Sequence, residues 1–375
     1  MKKKILFITA TRADFGKLKS LINITKKNKI FSVHIGVTGM HMMKRFGDTH
    51  LEVDKFFKSK VIKFKNQSLG DNLESILTKT IEKFSKIVEK IRPDLIVIHG
   101  DRVESLACSL VGSLNHILTA HVEGGEVSGT IDDTIRHAVT KLSHIHFVGN
   151  NKAKTRVINM GEKSNSVFTI GSPDMDILLS NKLPSIEFVK KRYGIKFKNY
   201  GILLWHPVTS MLSRLKKDTL KLVNFINSFN QNFVIIHPNN DPGTDIILDI
   251  YKKKLKSKRH KIFKSIRFEY FVSLLKHSRF IIGNSSAGIY EAPIFGVPTI
   301  NIGNRQNRRL KTRAIKDVEI DDLNSDKVES FINKYKKINK RYYGKGNADK
   351  KFFKQIKKNK LWKISRQKYF SDIKI

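Results

Sequence analysis

Short runs of aliphatic and β-branched residues, each followed by a stretch of helical periodicity, recur along this chain and leave few architectures open. Residues 5–9, 33–38, 95–99, 118–122 and 145–148 read as strands. Between them Leu73, Ile76, Leu77, Ile81, Phe84, Ile87, Val88 and Ile91 recur at helical spacing and stop just before Pro93. The pattern resets after Phe168-Thr169-Ile170-Gly171-Ser172-Pro173 and repeats with strands at 201–205, 233–236, 280–282 and 299–302. Strands that alternate with helices build parallel sheets from βαβ units. Two such sets predict two α/β domains meeting across a cleft. The first is expected at 1–172 and the second at 173–355. A last helical segment, around 350–357 and 366–372, is expected to let residues 356–375 pack back on the first domain.

A chain of 375 residues is long enough to bury two separate cores. Its formal net charge is +39, which invites a reading as a nucleic-acid binder through phosphate contacts. The lysines are scattered rather than gathered in one tail, and no RNA-binding aromatic signature, zinc finger or basic zipper accompanies them. No nucleic-acid partner is therefore expected, although a positive field would still attract an anionic substrate. The single cysteine, Cys108, excludes an intrachain disulfide and sits at a position that reads as apolar packing. The start, Met1-Lys2-Lys3-Lys4 before Ile5-Leu6-Phe7-Ile8, imitates a signal peptide, but its apolar run is too short and reads as a first strand. No stretch is long enough for a membrane span, so a cytoplasmic protein without a membrane partner is expected.

Residues with chemistry gather just after the predicted strands, where ligands bind in open parallel sheets. One cluster reads His99-Gly100-Asp101-Arg102-Val103-Glu104, a second His121-Val122-Glu123-Gly124-Gly125-Glu126, a third Asp132-Asp133-Thr134-Ile135-Arg136-His137. Carboxylates and histidines so placed suit general acid/base work, although Asp101, Glu123 and Asp132 also fit as helix caps. The first turn, Thr9-Ala10-Thr11-Arg12-Ala13-Asp14-Phe15-Gly16-Lys17, has neither the glycines of a dinucleotide fold nor a Walker loop, which argues against NAD and against ATP hydrolysis. Arg12 and Lys17 at the mouth of its helix could hold a phosphate. A second phosphate-type turn, Gly283-Asn284-Ser285-Ser286-Ala287-Gly288-Ile289-Tyr290-Glu291-Ala292-Pro293, precedes a predicted helix, with Glu291 placed for ribose hydroxyls and His206 on the same edge. His144 and His146, or His41 near His34, lack partners at ligand spacing, so no metal site is expected. No nucleophile elbow supports a Ser-His-Asp triad.

Thr11–Lys17, Val37-Thr38-Gly39-Met40-His41, Gly100-Asp101-Arg102, the Glu123 and Asp132 clusters, Gly283–Pro293 and Arg305-Gln306 together resemble, in one colinear order over nearly the whole chain, the hydrolysing UDP-N-acetylglucosamine 2-epimerases of bacterial sialic acid synthesis. Non-hydrolysing relatives carry Pro-Glu after the first Arg, Thr after the central Asp and Ala-Gly-Leu-Arg after the middle Glu. This chain has Ala13-Asp14, Arg102 and Gly124-Gly125-Glu126 there, which places it on the hydrolysing side. The resemblance implies a GT-B-like α/β fold of two Rossmann-like domains with parallel sheets and an interdomain active-site cleft. It implies UDP-GlcNAc as substrate, no cofactor, and a homodimer or higher homo-oligomer. By matching position it makes Asp101, Glu123 and Asp132 the catalytic acids. Arg12, His206, Ser285, Ser286, Glu291 and Arg305 would hold UDP, while Lys17 and Arg136 would arrange the charged cleft. Glu104, Glu126 and Asp133 fall to supporting roles. Two alternatives stand beside this reading: the same reaction on UDP-2,4-diacetamido-2,4,6-trideoxyglucose, and a GT-B glycosyltransferase sharing only the nucleotide end.

Overall fold

A computed structural model describes residues 2–58, 60–255, 259–309, 312–335 and 343–372. They divide into two compact units. The first comprises Met1–Glu126, Asp132–Ser180 and Tyr342–Ile375, the second Val127–Ile131 and Asn181–Arg341.

The first unit is built on seven parallel strands: β1 (Lys3–Thr9), β2 (Phe31–Val37), β3 (Val61–Lys63), β4 (Leu95–His99), β5 (Leu118–Val122), β6 (Ile145–Val148) and β7 (Val167–Thr169), in the order β3-β2-β1-β4-β5-β6-β7. Strand side chains alternate between faces. Ile5, Phe7, Leu95 and Val97 accordingly join one apolar cluster with the helix Arg12–Lys26, while Leu6, Ile8, Ile96 and Ile98 join another with Phe84, Val88, Cys108 and Val111. Helices on both faces leave the central strands no wet side, which is why they are apolar throughout. The helix Leu73–Ile91 ends where its periodicity stops, with Arg92 closing it in the left-handed region at φ 48°.

The second unit carries β8 (Gly201–Leu204), β9 (Phe233–Ile236), β10 (His260–Phe263), β11 (Phe280–Gly283), β12 (Thr299–Ile302) and β13 (Ile315–Val318), again all parallel, in the order β10-β9-β8-β11-β12-β13. Its core gathers Leu203, Trp205, Phe233, Phe280 and Ile300 with Leu222 and Ile226 of the helix Leu212–Ser228.

The division differs from the sequence boundary at 172/173. Residues 173–180 stay with the first unit, and so does the helix Ala348–Ile356, which the sequence had placed in the second. The Asp176 carboxylate accepts the backbone N–H groups of Ala348 at 2.7 Å and Asp349 at 2.9 Å, anchoring the start of that helix. Phe352 then packs 4.7 Å from the Phe147 ring and 6.2 Å from that of Phe7. Removing so large a buried ring costs on the order of 3–5 kcal/mol. Residues 366–372, expected as helix, are irregular instead. Their anchors are backbone groups and one lysine: Arg366 O meets His144 Nε2 at 3.0 Å, Lys368 Nζ reaches Glu162 at 2.8 Å, and Ser371 N donates to Gly161 O at 3.1 Å. Among the described residues no helix is long and apolar enough to cross a membrane.

Candidate active site

Each sheet reverses its strand order once, between β1 and β4 in the first unit and between β8 and β11 in the second. At such a point neighbouring crossovers leave in opposite directions and open a crevice beyond the carboxyl ends. Of the sequence-derived residues, Arg12, Lys17 and Asp101 follow β1 and β4 and His206, Ser285, Ser286 and Glu291 follow β8 and β11, while Glu123, Asp132 and Arg136 follow the next strand, β5, and Arg305 follows β12.

In the first unit the β5 strand runs into Glu123, whose φ of 63° lies in the left-handed region, costly for a residue with a Cβ. Four contacts hold it there. Its N–H donates to Phe147 O at 2.9 Å, and Ser172 Oγ donates to Oε1. On Oε2, His99 Nε2 lies at 2.8 Å and Lys17 Nζ at 3.2 Å. Lys17 also meets Asp174 Oδ2 at 2.8 Å. Burial by itself would raise the Glu123 carboxyl, but the Lys17 ammonium and the His99 and Ser172 hydrogen bonds outweigh it and hold the group well below the usual range. Asp174, with a side chain only 2% exposed, moves the other way: burial raises it, and the Lys17 charge only partly opposes this.

Asp101 follows the β4 end and pairs with Arg136, whose guanidinium is also held by Asp133 Oδ1 at 3.0 Å and the Glu126 carbonyl at 3.2 Å. Arg102, not Asp101, caps the helix Val103–Leu114, so capping does not account for Asp101. Beneath this turn lies His121, fully buried, whose Nε2 donates to Gly100 O at 2.8 Å while Nδ1 faces Thr140 Oγ1 at 3.1 Å. Burial pushes its pKa down to about 3, so it stays neutral and acts as a fixed prop. Asp132 lies half-buried on the first turn of the helix Ile131–Leu142, one turn from Arg136. Asp133 and Glu126 serve Arg136, and Glu104 is buried against Arg102 and Gln67.

The first turn is a capped helix start. Asp14 accepts the N–H groups of Ala10 at 2.9 Å and Thr11 at 3.0 Å and donates its own N–H to Thr11 Oγ1 at 3.2 Å, a capping box that fixes the start of the helix. Arg12 Nε sits 3.2 Å from Glu52, and Lys17 turns to the acids.

The second crevice is neutral by comparison. Asn284, fully buried, accepts from the His206 N–H at 2.8 Å and donates to the His206 carbonyl at 2.8 Å, stitching the end of β8 to that of β11. Its own carbonyl takes Gln306 Nε2 at 2.8 Å and Arg305 Nη1 at 3.4 Å. Gly283 precedes it at φ 129°, where a Cβ would stand 1.9 Å from Leu204 O, so only glycine fits. His206 Nδ1 accepts the Asn239 N–H at 3.2 Å, which puts the ring proton on Nε2. Burial, aided by the Arg305 charge, holds its pKa well below the ordinary value. Ser285 Oγ accepts the Ala287 N–H at 3.3 Å. The helix expected here is one turn long, Ala287–Tyr290, because Pro293 and Gly296 turn the chain into a 3₁₀ segment. Ser286 is its cap residue, and Glu291, buried, lies just past its end.

Ser172, Asp174 and Asn284 lie outside the sequence-derived set. The signal for the first two was present: Gly171-Ser172-Pro173-Asp174 directly follows an apolar run, as the other clusters do. His144 has both ring nitrogens paired, Nδ1 with Thr119 N at 3.2 Å and Nε2 with Arg366 O at 3.0 Å, whereas His146 pairs Nε2 with Glu162 at 3.0 Å and keeps a buried Nδ1 with no partner among the described residues. Among the described residues no group of three or more His, Cys, Asp or Glu could hold a metal ion.

A family profile described as UDP-N-acetylglucosamine 2-epimerase matches residues 23–357. The chain is 42% identical to a UDP-N-acetylglucosamine 2-epimerase of Neisseria meningitidis serogroup B, covering all of both proteins. It is 35% identical, over 88% of each, to a hydrolysing GDP/UDP-N,N'-diacetylbacillosamine 2-epimerase of Campylobacter jejuni. Among solved structures it superposes on Methanocaldococcus jannaschii UDP-GlcNAc 2-epimerase with a TM-score of 0.81, covering 94% of this chain and 99% of that one at 22% identity.

Proposed function

The chain belongs to the UDP-N-acetylglucosamine 2-epimerase family, and from that premise we propose that it hydrolyses UDP-GlcNAc to N-acetylmannosamine and UDP, supplying sialic acid synthesis. The observation that carries the hydrolytic reading is the acid set of the first unit: Asp101 on Arg136, Glu123 on Lys17 and His99, and Asp132 one helical turn from Arg136.

The reaction needs such a set. A base removes the C2 proton while the C1–O bond to UDP breaks, and 2-acetamidoglucal and UDP result. Water then adds its oxygen to C1 as a proton returns to C2 on the face that gives the manno configuration. The C2 proton is weakly acidic, so the elimination gains from positive charge developing on the ring and from a tightly placed base. Glu123, held ionised, suits stabilisation of that charge. Asp101 or Asp132 takes the C2 proton. The leaving diphosphate suits His206, Ser285, Ser286 and Arg305, with Glu291 toward the ribose and Arg12 as a further cation. The enzyme works as a homo-oligomer without NAD or metal.

Incubation with UDP-GlcNAc in deuterated water tests the proposal. Expected products are UDP and N-acetylmannosamine carrying deuterium at C2, formed without an acceptor; no UDP release overturns it. The similarity to the C. jejuni enzyme favours one second reading, the same hydrolysis of a 2,4-diacetamido-trideoxy sugar nucleotide. Faster turnover of that substrate would replace UDP-GlcNAc while leaving the mechanism intact.

A further inference from the structure

Asp174 has no part in the acid set, yet it occupies one of its most closely packed positions. It opens the helix Asp174–Leu178, and its Oδ2 meets the Lys17 ammonium at 2.8 Å, while the same nitrogen stands 3.2 Å from Glu123 Oε2. Two carboxylates therefore share one cation. The other oxygen, Oδ1, is buried and accepts no hydrogen bond from the described residues. Leaving a buried carboxylate oxygen unpaired is costly, and a purely structural ion pair has no use for it.

We infer that Asp174 is a positioning residue for the reaction: by taking a share of the Lys17 ammonium, it leaves Glu123 with negative charge that a one-to-one ion pair would cancel. That charge is then available to a sugar ring turning cationic. The inference rests on the reading of Glu123 as a catalytic acid given above.

A pH dependence follows from the surroundings. Facing Asp174 are Lys17 from the helix Arg12–Lys26, Glu123 from the end of β5 and His99 from the end of β4. On its own helix Asp176 bears on Ala348 and Asp349 of the helix Ala348–Ile356. Burial, with the Glu123 charge beside it, raises the Asp174 carboxyl above the ordinary range. As pH falls, Asp174 takes up a proton first, and Lys17 is left to Glu123 alone. The active form is the deprotonated one, so the rate acquires an acid limb that belongs to Asp174.

The experiment compares the unaltered enzyme with Asp174→Asn, Asp174→Glu and Glu123→Gln, measuring kcat and KM for UDP-GlcNAc from pH 4.5 to 8 alongside thermal unfolding. Asp174→Asn is expected to lower kcat on the order of 10- to 100-fold with KM changed less than about twofold, and to flatten the acid limb. Asp174→Glu is expected to restore the limb and most of kcat. A folded Asp174→Asn variant with the original kcat and limb overturns the inference. So does an Asp174→Glu variant as slow as Asn with the limb of the parent, which would make the residue structural. A near-normal Glu123→Gln variant instead overturns the catalytic reading of Glu123 itself, whereas a slow Glu123→Gln beside an unaffected Asp174→Asn overturns the present inference alone.

Discussion

The crevice of the first sheet is assembled from ions, that of the second from amides. In the first, Arg136 gathers Asp101 and Asp133, and Lys17 spans Glu123 and Asp174. In the second, Asn284 and Gln306 join neutral groups, and His206 is kept uncharged by burial. Both occupy the same topological position in sheets of the same type. The difference follows the work proposed for each. Charged pairs with opposed pKa shifts can exchange protons and meet developing charge. The amide lattice, with the Arg305 cation beside it, presents preformed donors to a diphosphate that gains negative charge as the C1–O bond breaks.

That contrast can be broken by substitution. The largest effect is expected from Asp101→Asn, which should cost about 10³-fold or more in turnover while the unfolding midpoint moves only a few degrees, roughly 4 °C at most. Glu123→Gln and Asp132→Asn should behave alike; a near-normal rate in any of the three removes that residue from the chemistry. Arg136→Met should strike stability as well, by about 3 kcal/mol in urea titration, because Asp101 and Asp133 lose a cation whose side chain is 3% exposed. In the neutral crevice, Asn284→Ala should raise KM for UDP-GlcNAc about tenfold with a smaller change in kcat, and cost about 2 kcal/mol of stability. Equal losses of kcat and kcat/KM there would dissolve the distinction between the crevices. Away from both, Gly161→Ala places a Cβ 2.4 Å from the Phe370 ring at φ 82°. It should lower stability by about 1 kcal/mol with kcat unchanged. The smallest expected effect sharpens the comparison most: between pH 6 and 8 KM for UDP-GlcNAc should vary less than about twofold, since His206 stays neutral throughout. A tenfold change tracking His206 would contradict this.

How much of this was legible in the residues depended on burial. Strands β4, β5, β6, β9 and β12 lie where their apolar runs begin and end, because central parallel strands need apolar side chains on both faces. The four edge strands β3, β7, β10 and β13 were not legible. Val61–Lys63 and Ile315–Val318 are half-exposed and interrupted by lysine or aspartate, as edges must be if they are not to pair with other chains. The acids were visible because they follow apolar runs. Their partners were not, since Lys17 and Asp174 meet only when the helix Arg12–Lys26 crosses the sheet. The capping role of Asp14 was not legible either, since it depends on φ and ψ at Thr11.

The split composition of the first unit sets the order in which a ribosome can complete the molecule. Residues 181–335 emerge as a finished set of strands and helices while the first sheet still lacks Phe352, Ile356 and Leu361, which roof one of its faces. Phe7 and Phe147 must therefore wait uncovered through the synthesis of the whole second unit, some seconds to tens of seconds at about 5–20 residues per second. The unit begun first is the one finished last, and in the interval its open apolar face is what a chaperone would meet.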